Sequence, residues 1–195
     1  MPLLISALFK STAFRFGVNT RLDDRVFAMQ QFKSLPLQFL IQSIYPHLYS
    51  VYKLGELTIE TKNNPETPES PRLQLSSANI DRTGVYLMDT YDHMYLYVGS
   101  AVDDRFCQDV LEVPNFMSIP EGIIDLPELE NPTSENVRNF VSNLLDNRPG
   151  GCTFYVIRED SKLRMEFFQY MVEDRSESSM SYYEFLQHIQ KQVKS

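Results

Sequence analysis

The sequence predicts an α/β (α+β) fold, a mixed sheet of about five strands between helices, flanked by a partial all-helical region. Three observations carry this. The blocks Gly84–Asp89 and Met94–Gly99 are rich in β-branched and aromatic residues and are separated only by Thr90–His93. They read as a β-hairpin with a four-residue loop, packed on both faces. The run Cys152–Ile157 is the strongest single strand and is expected at the centre of the sheet. Apolar residues recur at helical spacing before, between and after these strands.

The elements follow in order. Leu3, Leu4, Ala7 and Leu8 share one helical face within residues 3–10, and a loop with Gly17 and Asn19 follows. Asp23 is placed to cap a second helix through Val26, Phe27 and Met29 to Phe32. Pro36 can open a third, in which Leu37, Leu40, Ile41 and Ile44 repeat at helical spacing. Three short helices cannot bury a core unaided, so residues 1–44 need a partner surface. Tyr45-Pro46 marks a boundary, and Leu48–Tyr52 reads as a first strand. Residues 61–72, with three prolines, are expected to form a mobile loop. A short strand at Leu73–Leu75 and a helical turn at Ser76–Ile80 lead into the hairpin. Asp103 caps a helix through Phe106, Val110 and Leu111, which Pro114 stops. Residues 114–132 suit a wrapping loop. Asn131, Pro132 and Glu135 mark the start of a helix striped by Val137, Phe140, Val141, Leu144 and Leu145, and Arg148–Gly151 ends it. After the strong strand, Leu163, Phe167, Met171 and Val172 predict another helix. A polar linker, Arg175–Ser179, precedes a last amphipathic helix with Tyr182, Phe185, Leu186, Ile189 and Val193.

Composition narrows the function classes. The chain has 195 residues, 43% hydrophobic and 12% aromatic, which supports a real core and argues against disorder. Its net charge of −8 is unevenly spread. Residues 1–44 hold five basic and two acidic residues, a net of +3, so the remainder carries −11. An acidic body is a poor nucleic-acid binder, because neutralising phosphates needs clustered Lys and Arg. The apolar start, Met1–Phe9, lacks the charged region and cleavage site of a signal peptide. No stretch reaches the ~20 apolar residues of a spanning helix. The two lone cysteines fit a reducing, cytosolic compartment.

No constellation carries chemistry. His47, His93 and His188 sit in a strand start, a hairpin loop and a terminal helix, without a second ligand at metal spacing. Cys107 follows Asp103-Asp104, whose charge would raise rather than lower its pKa, and Cys152 reads as a small core residue. No Cys-x-x-Cys is present, so no structural zinc site is expected in this chain. The acidic pairs Asp23-Asp24, Asp103-Asp104, Glu159-Asp160 and Glu173-Asp174 do not face one another on a helix, and two of them fit helix N-terminal positions. No phosphate-binding or nucleophile-elbow motif occurs. Tyr45, Tyr49, Tyr52, Tyr182 and Tyr183 suit an interface or ordinary core edges equally. The expectation is therefore a non-enzymatic chain with no catalytic, cofactor-binding or metal-binding residues.

Val85–Gly99 resembles a gelsolin-type repeat: a strand ending in Leu87-Met88-Asp89, a turn, then an aromatic-alternating strand ending in Gly99, with Tyr97 where many such repeats have Trp. More specific segments are Thr20–Met29, Ser118-Ile119-Pro120 with Leu126-Pro127-Glu128-Leu129, Tyr155–Asp160, and Met171–Ser178 running into Ser181–Gln190. Together they closely resemble the carboxyl-terminal end of the cargo-adaptor subunit family of the COPII vesicle coat, over essentially the whole chain. The resemblance implies three parts: residues 1–44 as the end of an all-helical region, 45–172 as a gelsolin-like domain, and 173–195 as a helix packing back on the helical region. It implies a scaffold role in endoplasmic reticulum to Golgi transport, within a longer protein whose zinc finger and cargo pockets lie outside this chain. The chain would then be a fragment, a truncated form or a shortened paralogue. It further implies, as partners of the full-length protein, the other inner-coat subunit as a heterodimer, the coat small GTPase and cargo proteins. Its location would be cytoplasmic, peripheral on the endoplasmic reticulum membrane and its vesicles. Taken alone, the repeat also allows a free-standing gelsolin-like actin binder.

Overall fold

In a computed structural model, residues 1–15, 21–55, 72–120, 122–123, 125–146, 148, 150–177 and 179–194 are described. The expected loops around Gly17 and over most of 61–72 lie outside them. The chain opens with three helices, α1 (Pro2–Lys10), α2 (Leu22–Ser34) and α3 (Leu37–Ile44). Six strands follow: β1 (His47–Ser50), β2 (Arg72–Leu73), β3 (Val85–Asp89), β4 (His93–Val98), β5 (Gly122–Ile123) and β6 (Thr153–Arg158). Between and after them lie α4 (Asp104–Leu111), α5 (Pro132–Asp146), α6 (Arg164–Phe168) and α7 (Tyr182–Lys194).

The strands form one mixed sheet in the order β2-β1-β3-β4-β6-β5. Among the described residues only the β4–β6 pair is parallel, and its long crossover carries α4 and α5. Side chains alternate across the sheet. Val85, Leu87, Met94, Leu96, Val98 and Val156 pack against Phe106, Val110, Val137 and Phe140 of α4 and α5. Tyr86, Met88, Tyr95, Tyr97 and Ile157 form the second core with Ala7 of α1, Phe167 of α6, Met171 and Val172. Both faces are covered, so β3 and β4 read as nearly continuous apolar runs.

The mixed sheet between helices is as expected, with differences in detail. There is one strand more than expected, because Gly122–Ile123 pairs with Val156 and Tyr155 inside the supposed wrapping loop. Two residues are too few for a period to show. The strand from Thr153 is therefore next to the edge, and β3 and β4 hold the centre. The hairpin loop is three residues, Thr90–Asp92, with His93 already in β4. Tyr91 takes a left-handed conformation there, φ 78°. The first strand ends at Ser50, and Tyr52–Gly55 is a 3₁₀ turn; the second strand is Arg72–Leu73 rather than Leu73–Leu75. Arg21, not Asp23, is the N-cap of α2. Asp103 caps α4 as expected, its Oδ1 accepting from the Arg105 amide at 2.9 Å. That helix ends at a left-handed Glu112, φ 57°, two residues before Pro114. The helix predicted through Val172 is only the five residues of α6, so Met171 and Val172 enter the core from a turn.

Candidate functional site

No helix among the described residues is long and apolar enough to cross a membrane. Among the same residues, no group of three or more His, Cys, Asp or Glu side chains converges as a metal site. The candidate residues are dispersed. His47 stands edge-on to Tyr49 with ring centroids 6.2 Å apart. Its pKa is drawn down by burial first and then by Arg72. His93 stacks on Tyr95 at 5.9 Å, and His188 is exposed on α7. Cys107 is buried in α4, and its thiol is pushed up to about 11 by burial and then by Asp104. Cys152 is raised to about 11 by burial as well. Neither thiol is poised as a nucleophile.

The acidic pairs divide by role. Asp23 and Asp24 lie in the first turn of α2, and Asp24 holds Arg21 by two bonds of 3.0 and 3.1 Å. Glu159 Oε2 accepts from the Ser100 amide at 2.7 Å, and Asp160 forks onto Arg158 at 2.9 and 3.1 Å. Glu173-Asp174 ties distant segments together. Asp174 accepts from Ser76 Oγ at 2.7 Å and from the Ser77 amide at 2.8 Å. Lys10 Nζ donates to the carbonyls of Val172 and Asp174 at 2.7 and 2.6 Å. Tyr45 donates its hydroxyl to Glu173 Oε1 at 3.1 Å, and the Glu173 carbonyl accepts from the Tyr182 amide at 3.0 Å. Burial, then Glu173, push the Tyr45 phenol up to about 12, so it stays a donor. The phenyl rings of Phe9 and Phe185 meet edge-on at 6.5 Å, joining α1 to α7. Tyr49 packs on Phe140 and Tyr52 on Phe106, whereas Tyr183 is exposed.

A second fastening escaped sequence reasoning. Arg148 Nη2 meets Asp89 Oδ2 at 2.6 Å, with the two side chains only 4% and 2% exposed. Arg148 Nη1 also donates to the Tyr91 carbonyl at 2.6 Å, and Asp89 Oδ1 accepts from the Tyr91 amide at 3.1 Å. The end of α5 is thereby locked to the hairpin turn. Tyr91 in turn lies against Phe39 of α3, centroids 4.8 Å apart.

Two surfaces remain for recognition. None of the thirteen residues of α2 is buried. Leu22, Val26, Phe27 and Met29 are 71%, 57%, 62% and 43% exposed, apolar side chains spread over more than one side of α2. The other is a cleft of about 680 Å³ between α1, α2, the sheet and α6. The architecture defines the class: a gelsolin-type α/β module with an incomplete helical layer fastened to one face.

Comparison with known proteins places this class. The Gelsolin repeat profile matches residues 66–141, and the Sec23/Sec24 helical domain profile matches residues 1–42. Human "Protein transport protein Sec24B" is 43% identical over 192 residues, covering 98% of this chain and 15% of the relative. Mouse "Protein transport protein Sec24A" is 44% identical, with 98% and 18% covered. The sec24 protein of Schizosaccharomyces pombe is 32% identical, with 100% and 21% covered. The crystal structure of the human COPII-coat protein Sec24c superposes with a TM-score of 0.86 at 27% identity, over 99% of this chain and 24% of that one. The chain belongs to the Sec24 family. It spans between 15% and 21% of the length of these sequence relatives.

Proposed function

We propose that this chain is the carboxyl-terminal scaffold of a COPII coat cargo-adaptor subunit acting in endoplasmic reticulum to Golgi transport. The supporting observation is likeness across almost the whole chain, through both the helical segment and the gelsolin-type module, to proteins named for protein transport and for the COPII coat. The exposed apolar side chains of α2, Leu22, Val26, Phe27 and Met29, suit packing against further helices of a longer chain. In this reading the chain is not an enzyme, has no catalytic, cofactor-binding or metal-binding residues of its own, and offers shape and buried fastenings. The family's zinc finger and cargo-signal pockets lie outside these residues. The division is 1–44 as the end of the helical region, 45–172 as the gelsolin-like domain and 173–195 as the returning helix. The full-length protein pairs with the other inner-coat subunit and is recruited by the coat small GTPase. It is cytoplasmic and peripheral on the endoplasmic reticulum membrane.

The test is a pull-down of the inner-coat partner with a full-length version of this protein, together with GTPase-dependent recruitment to liposomes. Association and recruitment are expected; loss of both would reject the assignment. Actin co-sedimentation with and without calcium is expected to leave the chain in the supernatant. The actin-binding alternative is not favoured, because similarity extends far outside the repeat.

A further inference from the structure

The charges that line the cleft between the helical layer and the sheet balance in number but not in place. Among the described residues, Lys10, Arg15 and Arg21 face it, as do Asp24, Asp92 and Glu166. Arg21 and Asp24 hold each other at 3.0 Å and cancel. Lys10 gives two of its three donors to the carbonyls of Val172 and Asp174. Burial draws its ammonium down, and the carboxylates of Asp174 and Glu184 oppose this more strongly than Arg15 adds to it. Lys10 is therefore matched by carboxylates outside the lining. Arg15 is tied to the end of α1, where its Nη2 donates to the Lys10 carbonyl at 3.0 Å. Asp92 and Glu166 remain on the floor. Asp92 accepts from Gln31 Nε2 at 2.5 Å and Glu166 from Gln169 Nε2 at 2.8 Å, and both donors are neutral. Neither carboxylate makes a salt bridge among the described residues.

Both carboxylates act on one set of rings. Burial first, then Glu166, and more weakly Asp92, hold the Tyr170 phenol above its usual value. Tyr95 lies 6.2 Å from Tyr170 between centroids and is raised as well, by burial first and then by Tyr170 and Glu166. His93, Tyr95 and Tyr155 form a ladder with centroids 5.5 to 5.9 Å apart, in which His93 and Tyr155 are only half-buried. Aromatic faces beside carboxylates attract a cation, because the ring quadrupole and the negative charge act in the same direction. A guanidinium uses both: it is planar, so it can lie on a ring while its edge donates to carboxylate oxygens. The cleft, about 680 Å³, has room for such a side chain and its flanking backbone. We propose that this floor binds an arginine side chain of a partner protein, its guanidinium resting on Tyr155 and His93 and hydrogen-bonded to Asp92 and Glu166.

The test uses the full chain and the blocked tripeptide Gly-Arg-Gly. Comparators carry citrulline, the uncharged isostere, or lysine in place of the arginine. Binding is followed by backbone amide chemical shifts. The arginine peptide is expected to shift residues 92–95, 155 and 166–170 together, and to bind at least about tenfold more tightly than the citrulline version. Glu166→Gln, at an exposed position, is expected to weaken it about fivefold with the melting temperature unchanged. Asp92→Asn, which keeps an acceptor for Gln31, is expected to weaken it similarly, and Arg15→Gln not at all. No binding, equal binding of the citrulline version, or unaltered affinity in both carboxylate variants would each overturn the proposal. So would loss of binding in Arg15→Gln. Equal binding of the lysine version would overturn the guanidinium and leave a site for any cation. None of these outcomes bears on association with the inner-coat partner, which the pull-down reads separately.

Discussion

Asp89 and Arg148 show how one ion pair can govern a turn. With both side chains almost fully enclosed, each charge depends on the other. Asp89→Ala leaves a buried guanidinium and is expected to cost about 3–5 kcal/mol in urea unfolding. The double change Asp89→Ala with Arg148→Met is expected to recover part of that loss, because no charge is then stranded. A double variant as unstable as the sum of its singles would refute the pairing. Asp174 acts differently, because it is partly exposed and its partners are neutral donors. Burial opposes its ionisation, yet the hydrogen bonds from Ser77 and Ser76 and the field of Lys10 win, and its pKa lies below the ordinary carboxylate value. A depressed native pKa stabilises the fold above the unfolded value, near 4, and that contribution is lost as pH falls through the native one. Asp174→Asn is therefore expected to melt below the parent at pH 7, with the gap closing below about pH 4. A gap that persists unchanged in acid would contradict this account.

At the scale of elements, caps and close approaches decide where each piece stops. Position 99, directly after β4, requires glycine because a Cβ there would stand 2.2 Å from the Arg82 carbonyl oxygen. The expectation from sequence that this strand ends in glycine thus has a steric cause. Gly99→Ala is expected to lower the melting temperature and to enhance hydrogen exchange at the amide of position 99, which in the parent chain bonds the Gly84 carbonyl. Helix α7 begins with a reciprocal box: the Ser181 amide donates to Glu184 Oε2 at 2.8 Å, and the Glu184 amide donates back to Ser181 Oγ at 3.3 Å. Ser181→Ala is expected to cost about 1 kcal/mol and to show first as faster exchange in the opening turn of α7. The Asp103 cap and the hairpin blocks were legible in the chain, whereas the Ser181-x-x-Glu184 box was passed over. The strand Gly122–Ile123 and the brevity of α6 were not legible. The strand depends on neighbours distant in sequence, Tyr155 and Val156, and Phe167 of α6 takes its place from stacking on Tyr97.

For the whole molecule, the fastening of its two ends is the controlling feature. Lys10, Tyr45, Glu173-Asp174 and the Phe9–Phe185 contact join α1, the end of α3 and α7 to one sheet face. Deleting residues 180–195 removes the half-buried Phe185, Leu186 and Ile189, each worth roughly 1.5–3 kcal/mol when fully buried. Proteolysis is expected to enter residues 1–44 first in that variant, and unchanged protease resistance would exclude the coupling. Period, turn chemistry and aromatic content were enough to determine a mixed sheet between helices, because two-sided burial leaves long apolar runs in β3 and β4 that a sequence displays. The motif segments were enough to indicate the family. Only the tertiary structure decided that Asp89 meets Arg148, that Glu173-Asp174 is a clasp and not a cap, and that Lys10 and Arg15 share a cleft. Those pairings are separated by 59 to more than 160 residues along the chain, apart from Lys10 and Arg15. A charge carries no mark of its partner until folding removes the water that would otherwise screen it.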